Sequence, residues 1–208
     1  MTRRFLALGD SYTIGEGVPV SERWPEQLVR LLAARGVDVA PPEIVATTGW
    51  TTGELSAGIA SARPIPPYDL VSLLIGVNNQ YRGRDPAEYR AEFRALLGQA
   101  IAFAAGAPGR VLVLSIPDWG VTPFAADRDR ERIAREIASF NAVNRDEAAS
   151  AGARYVDIFP ASRLAATREH LTASDGLHPS GAMHALWAEL ALADALAALS
   201  PAPIFHTS

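Results

Sequence analysis

The sequence predicts an α/β domain of three layers, in which helices cover both faces of a central parallel sheet of five strands. Short apolar runs alternate with helical patterns along the chain, as expected of repeated βαβ units. The apolar runs are nearly continuous, which is typical of strands buried on both faces. The composition shifts nowhere sharply enough to mark a boundary, so we expect one domain over residues 1–208.

The first half of the chain predicts three strands, each followed by a helix. The strands are apolar runs that lead into polar loops: residues 5–8, a short run ending at Ala46, and residues 70–75. The helices carry apolar side chains at helical spacing: residues 25–34, a helix through Leu55 and Ile59, and about 85–105. Residues 76–83 are expected to form a polar loop between the third strand and its helix.

The second half continues the alternation. It predicts a strand over 111–114, a long loop over 115–124, a helix over about 127–151 and a short strand over 155–158. Ser180 opens the last helix, and the tail from about residue 201 is expected to fray. Charges of both signs alternate over 128–132, which is typical of a solvated helix face rather than an anion site.

The composition excludes several classes of function. The net charge is −4 and the isoelectric point is about 5.6, so the chain lacks the basic footprint of a nucleic-acid-binding protein. All 19 basic residues are arginine, which excludes a Walker-type phosphate loop, Schiff-base chemistry and a Ser-Lys catalytic pair. Because the chain contains no cysteine, thiolate catalysis, disulfides and cysteine-bound metals are excluded too.

The N-terminal segment contains no signal-peptide core, because the apolar run after Arg4 already stops at Gly9. No stretch reaches the length needed to cross a membrane without interruption. We therefore expect a cytoplasmic protein with no membrane span. The sequence indicates no nucleic-acid partner and specifies no oligomeric state.

Residues suited to acyl transfer follow the predicted strands. Ser11, Gly49 and Asn78 come after the first three strands, and Asp175 and His178 precede the last helix. Parallel topology brings such loops to one edge of the sheet. A serine nucleophile needs a base such as histidine, the histidine needs a carboxylate, and the oxyanion needs fixed N–H donors. The set therefore predicts acyl transfer, although the serine loop alone would be typical of a helix cap.

On these residues the chain resembles the SGNH hydrolases, also called GDSL esterases and lipases. The matching motifs, which span residues 5 to about 199, are Gly9-Asp10-Ser11-Tyr12, Gly49 in a threonine-rich turn, Gly76-Val77-Asn78-Asn79 and Asp175-Gly176-Leu177-His178. The resemblance implies a flavodoxin-like sheet, with Ser11 as nucleophile and Asp175 and His178 completing a triad. It also implies an oxyanion hole formed by Ser11, Gly49 and Asn78, and no cofactor.

The chain departs from the family pattern at two positions. Tyr12 replaces the usual leucine and is expected to change the floor of the pocket, whereas Asn79 replaces an aspartate and puts the hydrogen bonding of its loop in question. Loops at the active edge usually set specificity. We therefore predict substrate contacts at Asp10, Tyr12, Asn79, Gln80, Tyr81, Trp119 and Phe124. The alternative for the last two is that they close the core.

The remaining histidines show no metal-binding pattern. His170 is expected in a solvated loop, His184 at the surface or partly packed on the last helix, and His206 in the tail. Without a His-Glu-x-x-His motif or another ligand spacing, we predict no metal site. The glycines at positions 15 and 17 are too few for a nucleotide-binding fingerprint.

The hypothesis from sequence is a serine esterase that acts on a small-molecule ester. Short-to-medium acyl chains are favoured, on a carbohydrate or another small molecule, or in a lysophospholipase- or thioesterase-like role. One alternative is a non-catalytic flavodoxin-like module that binds a small ligand. Another is a phosphate- or nucleotide-binding protein that uses the N-terminal glycines, against which the missing lysine counts.

Overall fold

The computed structural model describes residues 2–200 and contains one parallel sheet of five strands. The strands are β1 (Phe5–Gly9), β2 (Glu43–Ala46), β3 (Leu70–Leu74), β4 (Val111–Leu114) and β5 (Arg154–Val156). They are hydrogen-bonded in the order β2-β1-β3-β4-β5, and every pair is parallel. This order confirms the predicted flavodoxin-like sheet. The predicted tail from residue 201, with His206, lies outside the described residues.

The sheet is covered by helices on both faces, as predicted. The α-helices within residues 2–200 are α1 (Ser11–Ile14), α2 (Trp24–Ala34), α3 (Thr52–Ala62), α4 (Val77–Tyr81), α5 (Pro86–Phe103), α6 (Arg130–Ala151), α7 (Phe159–Ser162) and α8 (Gly181–Leu199). Helices α2 and α8 pack together on one face, and α5 packs between α3 and α6 on the other. Every residue of β1, β3 and β4 is buried, which explains their nearly continuous apolar runs.

Two glycines allow helices to begin directly at the carboxyl ends of the central strands. A Cβ atom on Gly9 would collide with the Thr13 side chain and come within 2.5 Å of the Leu74 carbonyl oxygen. A Cβ atom on Gly76, whose φ is 128°, would come within 2.5 Å of the Tyr89 hydroxyl oxygen. Both loops therefore lie tightly against the sheet.

Some predicted elements differ in extent from the structure. The last strand, predicted over 155–158, spans Arg154–Val156 as β5. The segment 76–83 is not wholly a loop, because it contains the single-turn helix α4. The long helix α6 begins at Arg130 rather than near residue 127, because the Asp129 side chain caps it by accepting from the Arg132 amide at 2.9 Å. Ion pairs four residues apart, such as Arg132–Glu136, confirm the solvated face of this helix.

His184 is not at the surface, contrary to the prediction. Its side chain is fully buried, and its ring packs edge-on against that of Trp187, with centroids 5.2 Å apart. Neither ring nitrogen has a hydrogen-bond partner among residues 2–200. Burial lowers the pKa of His184 to about 3, so the ring is neutral at physiological pH. The other unassigned histidine, His170, is exposed as predicted.

Within the described residues, α8 is long and apolar enough to cross a membrane by length and composition alone. The same length and composition occur in core helices of folded domains. Here α8 packs against α2 and the sheet, and its residues Met183 and Trp187 are 2% and 1% exposed. Its apolar character is therefore explained by core packing.

Candidate active site

Ser11 is the first residue of α1 and follows β1 after a single linking residue. That residue, Asp10, caps the helix, because its Oδ1 accepts a hydrogen bond from the Tyr12 amide at 3.0 Å. Gly15 ends the helix after one turn in the left-handed conformation, and its N–H donates to the Ser11 carbonyl at 3.0 Å. Ser11 is thereby held at the carboxyl edge of the sheet, where 5% of its surface is exposed.

Asp175 and His178 form a hydrogen-bonded pair in the segment before α8. Asp175 Oδ2 lies 2.6 Å from His178 Nδ1, and Asp175 Oδ1 accepts from the amides of Leu177 and His178, both at 2.9 Å. Burial acts to raise the pKa of Asp175, but these hydrogen bonds outweigh it, so the pKa lies below its usual value. An ionised carboxylate can only accept, so His178 carries its proton on Nδ1 and keeps Nε2 as an acceptor.

One open cavity brings together residues from distant parts of the chain. Ser11, Asn78 and His178 all line it, and its volume is about 210 Å³. The rest of its lining consists of Tyr12, Val77, Tyr81, Trp119, Phe124 and Leu177. Among the other residues proposed for catalysis, Asp175 lies behind His178, and Gly49 lies in the neighbouring loop rather than in the lining.

The Gly49 loop and α4 are tied together as one unit. Asn78 Nδ2 donates to the Trp50 carbonyl at 2.9 Å, and the Arg82 guanidinium donates to the Gly49 carbonyl at 2.7 Å. The same guanidinium donates to the Glu54 carboxylate at 3.2 Å. Gly49 has a φ of 88°, a backbone conformation that residues other than glycine rarely adopt. The Asn78 amide nitrogen has a second N–H that can serve a ligand.

Asn79 is well accommodated in place of an aspartate. Its Oδ1 accepts from the Thr52 amide at 3.0 Å, and its Nδ2 donates to Thr52 Oγ1 at 2.7 Å. The Thr52 hydroxyl in turn donates to the Glu92 carboxylate. An aspartate at position 79 would itself accept the Thr52 hydroxyl proton. With asparagine there, the Asn79 amide donates to the Thr52 hydroxyl oxygen and Glu92 accepts the hydroxyl proton instead. The hydrogen bonding of this loop is therefore complete, and the sequence alone gave no signal for Glu92.

Three aromatic side chains form one side of the cavity, here called the aromatic wall: Tyr81, Trp119 and Phe124. The Trp119 ring lies 5.5 Å from Tyr81 and 6.0 Å from Phe124. The Arg128 guanidinium lies 5.0–5.4 Å from all three rings, a cation–π arrangement. The sequence placed Arg128 on a solvated helix face. The structure places it before α6, where its long side chain reaches back over the wall.

Three of the predicted substrate contacts are absent from the cavity lining. Asp10, Asn79 and Gln80 are 1%, 2% and 6% exposed, and each uses polar atoms within the protein. Gln80 Oε1 accepts from Trp119 Nε1 at 2.9 Å, while the other two hold α1 and the Gly49 loop as described above. These residues therefore position the cavity lining, and their contact with substrate stays a prediction.

Asp10 is expected to make stability depend on pH. Burial raises its pKa to about 7, against the lowering effect of the Tyr12 and Asp10 amides. An unfolded aspartate titrates near pH ~4, so the folded state binds the proton more tightly. The proton on Asp10 therefore adds up to about 4 kcal/mol to the free energy of unfolding. The whole of this contribution is present below pH ~4, and it is lost as the pH rises through about 7.

Asp10→Asn keeps the capping oxygen and removes this titration. We expect urea unfolding to show a smaller loss of stability between pH 5 and pH 8 for the variant than for the wild type, and a more stable variant at pH 8. The opposite contribution of Asp175, whose pKa is lowered, is common to both proteins and cancels in the comparison. Equal pH slopes would show that Asp10 is ionised throughout.

Comparisons with known proteins agree with this geometry. The profile of the GDSL-like lipase/acylhydrolase family matches residues 7–186 of the chain. A search of curated proteins finds no match. Among solved structures, the chain is similar to the lipase/acylhydrolase from Enterococcus faecalis, with a TM-score of 0.73 and 19% identity over 97% of this chain and 99% of that chain.

Two further solved structures share the fold. TesA has a TM-score of 0.69 and 24% identity over 92% of this chain and 97% of its own. Axe2, an acetylxylan esterase from Geobacillus stearothermophilus, has a TM-score of 0.69 and 21% identity over 93% of this chain and 94% of its own. The family match runs from β1 into α8, and the chain therefore belongs to the GDSL-like lipase/acylhydrolase family of ester hydrolases.

Proposed function

We propose that this protein is a serine esterase that hydrolyses carboxylic esters of short-to-medium acyl chains through an acyl-enzyme on Ser11. The observation that carries the proposal is the shared cavity. Ser11 and His178 line the same space, and His178 is held from behind by Asp175 at 2.6 Å. A hydroxyl, an imidazole with a free Nε2 and an ionised carboxylate are the groups that acyl transfer requires.

In the first half of the reaction, Ser11 Oγ attacks the ester carbonyl carbon while His178 Nε2 takes the hydroxyl proton. Asp175 stabilises the imidazolium that forms. The negative charge on the former carbonyl oxygen is bound by the Ser11 N–H and the Asn78 amide, which line the cavity, with the N–H of Gly49 in the neighbouring loop as the third donor. The tetrahedral intermediate then collapses, and His178 gives its proton to the departing alkoxide.

In the second half, a water molecule replaces the alcohol. His178 Nε2 takes a proton from this water as its oxygen attacks the acyl-enzyme carbonyl. The second tetrahedral intermediate uses the same N–H donors. Its collapse breaks the bond to Ser11 Oγ, which regains a proton from His178 and releases the carboxylic acid.

The size and lining of the cavity support a small substrate. A volume of about 210 Å³ lies below the range of about 300–1,000 Å³ typical of drug-sized ligand sites. Tyr81 and Phe124 are 48% and 43% exposed at its side, and their ring faces can stack on a sugar or an aryl alcohol. The fold shared with an acetylxylan esterase supports an acylated carbohydrate as one candidate.

Covalent labelling tests the proposal directly. We expect an alkyl fluorophosphonate to modify the wild type at one site, and peptide mass spectrometry to locate the adduct on Ser11. p-Nitrophenyl acetate and butyrate should be hydrolysed, and prior labelling should block this hydrolysis. An adduct on another residue would overturn the assignment of the nucleophile. The absence of both labelling and hydrolysis would instead favour the non-catalytic binding module.

A further inference from the structure

A second cavity lies directly beside the catalytic one. Its volume is about 20 Å³, close to the minimum needed for one water molecule. Tyr12, Trp119, Leu177 and His178 line both cavities, so these four side chains form the partition between them. A change in the partition would therefore change the space open to a substrate.

The surface behind the partition is largely apolar. Its apolar members are Pro117, Ala165, Leu171, Pro179, Met183 and Trp187, and its polar members are Asp118, Thr122, Ser162 and Thr172. The charged member, Asp118, is 2% exposed and lies 3.7 Å from the Arg163 guanidinium. An alkyl chain that passed the partition would be removed from water against mainly apolar side chains.

Tyr12 is the member of the partition nearest in sequence to the nucleophile. Its ring packs edge-on against His178, with centroids 6.1 Å apart, and against Trp187 at 5.9 Å. Only 4% of the residue is exposed. Burial, with smaller contributions from nearby carboxylates, raises the pKa of its phenol, so the hydroxyl stays neutral. The ring is thus clamped between two others and stands between the two cavities.

We propose that Tyr12 sets the limit on acyl-chain length by keeping substrate out of the second cavity. The inference rests on the proposed esterase function and names the residue that determines its specificity. Acetyl and butyryl groups fit within the catalytic cavity alone. A longer chain must share this volume with the alcohol portion or leave it past Tyr81 and Trp119, which also line a neighbouring open groove, unless the space behind Tyr12 becomes available.

The test is the chain-length profile of Tyr12→Leu. The ratio of kcat/KM for p-nitrophenyl octanoate to that for the acetate should rise about tenfold over the wild type, since burial of two further methylenes accounts for a factor of that size. Tyr12→Phe keeps the ring and should keep the wild-type ratio. Adding Ala165→Leu to Tyr12→Leu refills the second cavity and should return the ratio towards the wild type.

The outcomes separate this inference from the proposed function. An unchanged ratio in Tyr12→Leu, with acetate hydrolysis and Ser11 labelling intact, overturns the inference and leaves the esterase assignment standing. A wild type that neither hydrolyses any ester nor reacts with the phosphonate overturns the esterase assignment itself.

A measurement on the wild type covers the case in which Tyr12→Leu fails to fold. Labelling with alkyl fluorophosphonates of two to eight carbons should slow sharply beyond about four carbons, because the longer chains meet the Tyr12 side of the partition. Equal labelling rates across the series would overturn the inference without any variant.

Discussion

Ser11→Ala and His178→Ala are each expected to lower kcat for p-nitrophenyl butyrate by a factor on the order of 10⁶, and the double variant should be no slower than either. The reason is that nucleophile and base act as a unit: without the base the hydroxyl is a weak nucleophile, and without the hydroxyl the base has no proton to take. Both side chains line the one cavity of about 210 Å³, as such a unit requires.

The residual rate in these variants is informative as well. Binding and the oxyanion donors remain when the unit is removed, so a rate about 10³-fold above that in water is expected to survive. His170→Ala and Ser56→Ala serve as matched controls, because His170 is exposed and Ser56 lies on α3, outside the cavity lining. Losses that multiply in the double variant would mean that the two residues act independently. Full activity in Ser11→Ala would place the nucleophile elsewhere.

The fold could be predicted from the sequence because parallel strands have a strong local signature. The strands β1, β3 and β4 are buried along their whole length, so each has a nearly continuous apolar sequence, interrupted in β3 by the buried Ser72. The topology then places the ends of these runs at one edge. Ser11 and Asn78 follow such ends, which is why the sequence predicts one site for residues 67 positions apart.

The direction of individual side chains could not be predicted in the same way. Asn78 and Asn79 are neighbours of the same chemical type on α4, yet Asn78 lines the cavity and Asn79 is buried against Thr52. Successive residues of a helix point about 100° apart, so the outcome depended on recognising this five-residue helix. The segment is polar and short, and its helical start requires the unusual backbone of Gly76.

Long or amphipathic side chains caused the other differences. The sequence predicts His184 at the surface or partly packed, but its ring is fully buried edge-on against Trp187, and burial keeps it neutral. The sequence predicts that Arg128 lies on a solvated helix face; the residue is exposed, but it precedes α6 and its guanidinium covers the aromatic wall. Trp187 lies about one turn after His184 on α8, and the rings under the Arg128 guanidinium belong to other segments of the chain. The surroundings of both side chains therefore depend on the tertiary structure.

Asp175→Asn is expected to lower kcat by about 10⁴-fold while the protein remains folded. An asparagine oxygen can still accept the Leu177 and His178 amides, which now donate to Asp175 Oδ1 at 2.9 Å. The new amide nitrogen, however, faces His178 Nδ1 as a donor. It therefore favours the tautomer with the proton on Nε2, and that tautomer has no acceptor for the Ser11 proton. The loss of the carboxylate also leaves the imidazolium without its counter-charge.

A comparison of activity with stability separates this effect from simple loosening of the loop. Asp175→Asn should lose activity with a melting temperature close to that of the wild type. Asp175→Ala should lose activity and also melt at a lower temperature, because it removes the acceptor for the two amides.

Asp118→Asn is the matched control, since Asp118 is a buried carboxylate in the wall of the second cavity and makes no hydrogen bond to His178 among the described residues. The kcat of Asp118→Asn should stay within about tenfold of the wild-type value. The Asp118 carboxylate does not contact His178, so its replacement leaves the tautomer of His178 unchanged. If Asp175→Asn stayed within the same limit, His178 would be oriented by a group other than Asp175.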